Sequence, residues 1–166
     1  SLVQGLLIHL MIPLGIIGVG WGHWLHGAQI SLLSFFGIIG LIGIMVNDSL
    51  VLVTAFNRNI KSGMAFGQAV LEAGVSRFRP ILLTSVTTVA GLAPLIIEKS
   101  FQAQFLIPMA ISIAYGLIAA TFTTLIALPL GLVLINRVKV YLNWLWEGKK
   151  PEAEHVEPAY QEIEYE

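Results

Sequence analysis

Four apolar runs, at about residues 2–22, 30–56, 80–97 and 104–136, constrain this chain more than anything else in it. Crossing about 30 Å of hydrocarbon takes roughly 20 helical residues. The third run, about 18 residues, sits near the lower limit, while the fourth is long enough to tilt or to project beyond the bilayer. Hydrophobic residues make up 56% of the 166 and charged residues 11%, against about a quarter charged in soluble domains. A water-soluble globule is excluded. The first run opens at Ser1 with no basic segment ahead of it, unlike a signal peptide. The expectation is an all-α membrane protein segment cut from a longer chain.

The loops predict an orientation. Arg58, Lys61, Arg77 and Arg79 lie between the second and third runs, and Arg137, Lys139, Lys149 and Lys150 follow the fourth. The other two loops hold Lys99 alone, beside Glu98. Positive-inside bias then places the basic loop and the C-terminus in the cytoplasm, with Trp21, Trp24, Tyr141, Trp144 and Trp146 as interfacial anchors. Residues 62–73 read as a short cytoplasmic surface helix, capped by Ser62 and ended by Gly74, with Pro80 in the first turn of the third span. Residues 1–140 form the helix bundle. Residues 141–166 form an acidic tail with too little apolar content to fold alone, expected to be disordered.

The polar residues inside the spans carry the functional signal. At 100° per residue, Gly37, Gly40, Gly43, Asn47, Asp48, Val51 and Thr54 fall within an arc of roughly 140° on the second span. Small residues there allow close helix packing, and Asn and Thr can hydrogen-bond between helices. Asp48 is the one acid in the middle of a span. A carboxylate at the bilayer centre costs about 2.5–3.5 kcal/mol, so it must be paired, protonated or facing water. It serves either as a proton-carrying site or as a protonated hydrogen-bonding tie between helices. Thr84, Thr87, Thr88 and Gly91 share a face of the third span, with Ser85 at its edge. They can relay protons, or each can bond its own i−4 carbonyl. Pro108, Ser112, Gly116, Ala119 and Thr123 on the fourth span read as helix contact.

Other chemistries have little support. The chain has no cysteine, which removes disulfides and thiolate sites. His23 and His26 stand three apart without a third ligand, so no metal site is assigned, and His9 is expected to be buried and neutral. There is no phosphate loop, nucleophile–base set or zinc-protease motif; no cofactor and no catalytic residue is assigned, and an enzyme is not expected. The basic loop is too sparse for a nucleic-acid surface.

The stretches GLIGIMVNDSLVLV, EAGVSRFRPILLTSVTTVAGLAPL and QAQFLIPMAISIAYGLIAATFTTLIALP resemble the resistance-nodulation-division (RND) efflux permeases. Residues 1–138 look like the last four helices of that family's twelve-helix transmembrane domain, with RFRPILLTS as the strongest element. The resemblance implies a proton-driven antiporter of the bacterial inner membrane that exports small molecules, such as the drugs of multidrug resistance. It implies a homotrimer joined to a periplasmic adaptor and an outer-membrane channel. It also implies that Thr84 matches the family's relay threonine and Arg77 the arginine at the cytoplasmic mouth of the proton path. Asn47 stands where many multidrug members have Lys, and Asp48 where they have Asn, similar to a divergent branch. Thr54 falls where an acid is common. The family's paired aspartates and its drug-binding domain belong to the N-terminal half and periplasmic parts, which lie outside this sequence. A proton relay of Asp48, Asn47, Thr84 and Arg77 is therefore expected, with Gly37, Gly40, Gly43, Thr87, Thr88, Ser112 and Gly116 in helix packing. A superfamily relative in lipid or protein export, or a purely structural membrane subunit, are the alternatives.

Overall fold

The computed structural model describes residues 2–148 and 151–164. Helix α1 spans Leu2–His26, α2 Leu32–Lys61, α3 Phe66–Ile97 and α4 Phe101–Phe122. A π-helical turn, Thr123–Ala127, joins α4 directly to α5, Leu128–Glu147, and a short α6 covers Pro158–Glu164. Four helical stretches are long and apolar enough to cross a membrane: α1, α2, α3 and the continuous Phe101–Trp146. Helix is the expected outcome, because hydrocarbon offers backbone N–H and C=O groups no partner except one another.

Local chemistry sets the boundaries. At the start of α2, Ser31 and Ser34 form a reciprocal cap: the Ser34 N–H donates to Ser31 Oγ at 3.4 Å and the Ser31 N–H to Ser34 Oγ at 3.0 Å. The α2–α3 turn needs a left-handed residue, supplied by Gly63 at φ +82°. Asn59 then ties the two helices, its Nδ2 donating to the Ala69 carbonyl at 3.2 Å. Between α3 and α4, the Lys99 and Ser100 N–H groups donate to Glu98 Oε1 at 2.9 and 3.0 Å. Those N–H groups, Ser100's first, hold the Glu98 carboxyl below its ordinary range.

Helix α4 is central and packs on α1, α2 and α3. Lipid supplies no hydrophobic drive between helices, so small residues that let backbones approach do the packing. A Cβ on Gly18 would lie 2.5 Å from the Tyr115 carbonyl oxygen, and one on Gly37 would lie 2.7 Å from that of Met109. Around these contacts Leu41, Leu52, Phe56, Ile111 and Leu117 are buried. The π turn sits two residues before Pro129, which has no N–H to offer the i−4 carbonyl. The Leu128 N–H reaches back to the Thr123 carbonyl, so the helix continues through the proline by widening a turn.

Three expectations are corrected. No separate surface helix covers 62–73: those residues from Phe66 onward belong to one 32-residue helix, α3. Pro80 accordingly lies well inside α3, flanked by Ser76 and Thr84, whose hydroxyls donate to the Ala73 carbonyl at 3.1 Å and the Pro80 carbonyl at 2.9 Å. The tail is ordered over 151–164 and lies against the bundle, with Val156, Glu157 and Ala159 buried. It lacks the apolar content to fold alone but has enough acid to bind a basic surface: Asn136 and Lys139 of α5 donate to Glu157 at 2.8 and 3.1 Å. Lys149 and Lys150 lie outside the described residues.

The glycine contacts predict a specific sensitivity. In the purified chain, Gly18→Val should lower the thermal midpoint in detergent, at a cost of about 1–3 kcal/mol for overpacking. Gly20→Ala, two positions away with nothing within 4 Å, should leave the midpoint unchanged or slightly higher. Equal midpoints for wild type and Gly18→Val would contradict the close approach.

Candidate functional site

The polar stripe of α2 divides where the helix turns from its neighbours. Leu41, Met45, Ser49, Leu52 and Phe56 face inward and are buried. Gly40, Gly43, Asn47 and Thr54 are exposed, and Asp48 is half-buried at the boundary between the two faces. Asn47 hydrogen-bonds the Asp48 side chain. The expected packing role divides in the same way. Gly37 is pressed against Met109 and Ser112 of α4, whereas nothing lies within 4 Å of where a Cβ on Gly40 or Gly43 would stand. Gly116 meets the Leu41 side chain, and Ser112 is buried with its hydroxyl donating to the Pro108 carbonyl at 3.0 Å.

Helix α3 shows the same separation. Thr84 and Thr87 are exposed, donating to the Pro80 and Leu83 carbonyls at 2.9 and 2.8 Å, and Thr88 is half-buried. Ser85 points the other way. Its hydroxyl is 2.5 Å from that of Thr121 on α4, both groups buried, and each also lies within hydrogen-bonding reach of its own i−4 carbonyl. One hydroxyl donates to the other, and that other donates to its own i−4 carbonyl, so the two protons make a joint between α3 and α4 in an apolar interior. Arg77 is half-buried on α3, with its Nε buried and lacking a hydrogen-bond partner among the described residues. Among the described residues no hydrogen bond or ion pair links Asp48, Thr84 and Arg77 to one another.

Several polar contacts were not legible beforehand. Gln4 and Asn57 exchange amide hydrogen bonds at 2.9 and 3.1 Å between α1 and α2. His23 is buried, with Nδ1 3.0 Å from the Val19 carbonyl and Nε2 2.9 Å from Ser34 Oγ, so it braces the α2 cap. His26 turns instead to the Tyr115 hydroxyl at 2.9 Å. His9, expected to be buried, is exposed and bonds the Gly5 carbonyl at 2.9 Å. A polar residue standing alone near a span end was the available signal, but its partner lay on another helix.

Four helical stretches apolar enough to cross a membrane, with polar residues left on their outer faces, define a multi-pass membrane bundle. The family model described as the AcrB/AcrD/AcrF family matches residues 1–136, and the chain belongs to that family of RND permeases. The swarming motility protein SwrC of Bacillus subtilis is 33% identical over 120 residues, covering 72% of this chain and 11% of that protein. The nickel and cobalt resistance protein CnrA of Cupriavidus metallidurans is 34% identical over 128 residues, covering 76% and 12% respectively. A crystal structure of a heavy metal efflux pump superposes with a TM-score of 0.72 at 28% identity, covering 80% of this chain and 14% of that one. The chain thus spans a small part of the length of the relatives it matches.

The Ser85–Thr121 joint can be measured. A double-mutant cycle with Ser85→Ala and Thr121→Ala should give a coupling of about 0.6 kcal/mol, and no more than about 1.7, the range for such bonds between membrane helices. Strict additivity would show that the two hydroxyls act independently.

Proposed function

We propose that this chain is the proton-coupling part of an RND efflux permease, a proton antiporter in the inner membrane. Asp48 is the ionisable site, Asn47 and Thr84 are the hydrogen-bonding relay that the working cycle brings to it, and Arg77 sets the charge at the mouth of the proton path. One observation carries the reading: Asn47 and Thr84 are exposed, and Asp48 half-exposed, on the outer faces of helices apolar enough to cross a membrane. Ionisable groups at that depth cost about 2.5–3.5 kcal/mol against lipid, and by default they face protein or water and mark an ion path. In relatives many times longer than this chain, further protein is available to cover those faces. A protonation change at Asp48 would then alter packing between this bundle and its neighbours, and that motion would drive export.

Membership in the family supports a reading of the rest of the assembly. The permease is a homotrimer working with a periplasmic adaptor and an outer-membrane channel. The end bearing Arg58, Lys61, Arg77 and Lys139 lies in the cytoplasm together with the C-terminus, as positive-inside bias requires. The names of CnrA and of the structural relative, a heavy metal efflux pump, support divalent transition metals ahead of multidrug cargo. A cargo site for them would lie elsewhere, since the described residues hold no cluster of three metal-ligating side chains.

Asp48→Asn in the full-length permease should abolish or strongly reduce proton-driven export at normal abundance. Full transport by that variant would remove Asp48 from the coupling path. Orientation has its own check: cysteines at Ser62 and Gln102 should label from opposite sides of the membrane, Ser62 from the cytoplasm. Labelling from one side would disprove the topology.

A further inference from the structure

Residues 151–164 grip three separate elements at the basic end of the bundle. On α5, Asn136 donates to the Ala153 carbonyl at 2.7 Å and to Glu157 Oε1 at 2.8 Å, while Lys139 donates to Glu157 Oε2 at 3.1 Å. On α2, Lys61 pairs with Glu162 at 2.5 Å. At the start of α3, where no side chain of the preceding turn caps the helix, the Phe66 N–H donates to Glu154 Oε2 at 3.5 Å. Between these anchors Val156 and Ala159 are buried, Ala153 and Tyr160 pack on the core, and α6 lies on α2.

We propose that this segment is a latch that holds α2 and α5 in one relative position, and that the permease must release it for those helices to move apart. The geometry carries the proposal in two ways. First, among the described residues α2 and α5 make no extensive contact of their own, while the segment bonds to both. Second, the grip on α2 is at Lys61, on the same unbroken helix that carries Asp48. Displacement of Asp48 relative to α5 therefore strains the latch, and the latch resists it.

The chemistry is suited to release rather than to permanent fastening. The Glu157 carboxylate is 2% exposed, and a buried charge left without its partner is strongly unfavourable. Partial undocking is therefore costly, and the segment leaves or stays as a unit. The outer anchor is weak by comparison. Lys61 and Glu162 are both largely exposed, where an ion pair contributes little and salt screens it. The coupling role of the latch rests on the efflux reading; its docking and its hold on α2 do not.

Spin labels on the full-length permease test this without a transport assay. Labels at Ser62 and Gln161 report docking, and labels at Ser62 and Leu142 report the separation of α2 from α5. In wild type both distance distributions should be narrow. Glu157→Ala, and separately a chain ended at Gly148, should broaden the α2–α5 distribution and raise its separated population about fivefold, at the lower end of ordinary conformational coupling. Lys139→Gln should act in the same direction. A broad Ser62–Gln161 distribution in wild type would mean that the segment is not docked and would overturn the proposal. An unchanged α2–α5 distribution in the shortened chain would also overturn it, because the segment would then hold nothing.

Discussion

The close approach of α4 to α1 and α2 is the contact on which the rest of the structure depends. Lipid is as apolar as leucine, so burying leucine between helices gains little there. What remains is van der Waals contact at short range, and Gly18 and Gly37 permit it by bringing backbone against backbone. With Gly18 and Gly37 turned inward, Asn47 and Thr54 of α2 and Thr84 of α3 are left facing out. Asn47 and Thr84 are exposed for the same reason that Gly37 is buried.

The bundle thereby sorts its polar groups into two kinds. Those that face inward are matched across helices: Gln4 with Asn57, His23 with Ser34, Ser85 with Thr121. They hold the helices in register. Those that face outward are satisfied only locally, Thr84 and Thr54 by their own i−4 carbonyls at 2.9 and 2.7 Å. Such a bond is easily exchanged for another partner. The proposed proton coupling would draw on groups of the second kind, held in place by groups of the first.

Much of this could be read from the residues. The four apolar runs located the spans because hydrocarbon thickness fixes their length, and the block RFRPILLTS carried the resemblance that the family match supports. Asp48 stood out as the lone acid in a span. Hydrophobicity could not show that the helix containing Pro80 starts at Phe66, since the charged turn at Arg77 and Arg79 interrupts the apolar signal while the backbone continues. Nor could it separate Gly37 from Gly40 and Gly43, because a stripe gives spacing and only the neighbour decides which part is covered. The tail was misread for a related reason. Composition reports whether a segment folds alone, and this one folds on Asn136 and Lys139.

The central claim is that Asp48 changes protonation during the working cycle. Infrared difference spectra of the full-length permease, wild type minus Asp48→Asn, test it directly when recorded across the pH range over which the permease transports. The account predicts a protonated-carboxyl band assigned to Asp48 that gains intensity as pH falls and loses it as pH rises within that range. An Asp48 that stays ionised, or stays protonated, at every pH at which the permease transports would contradict it.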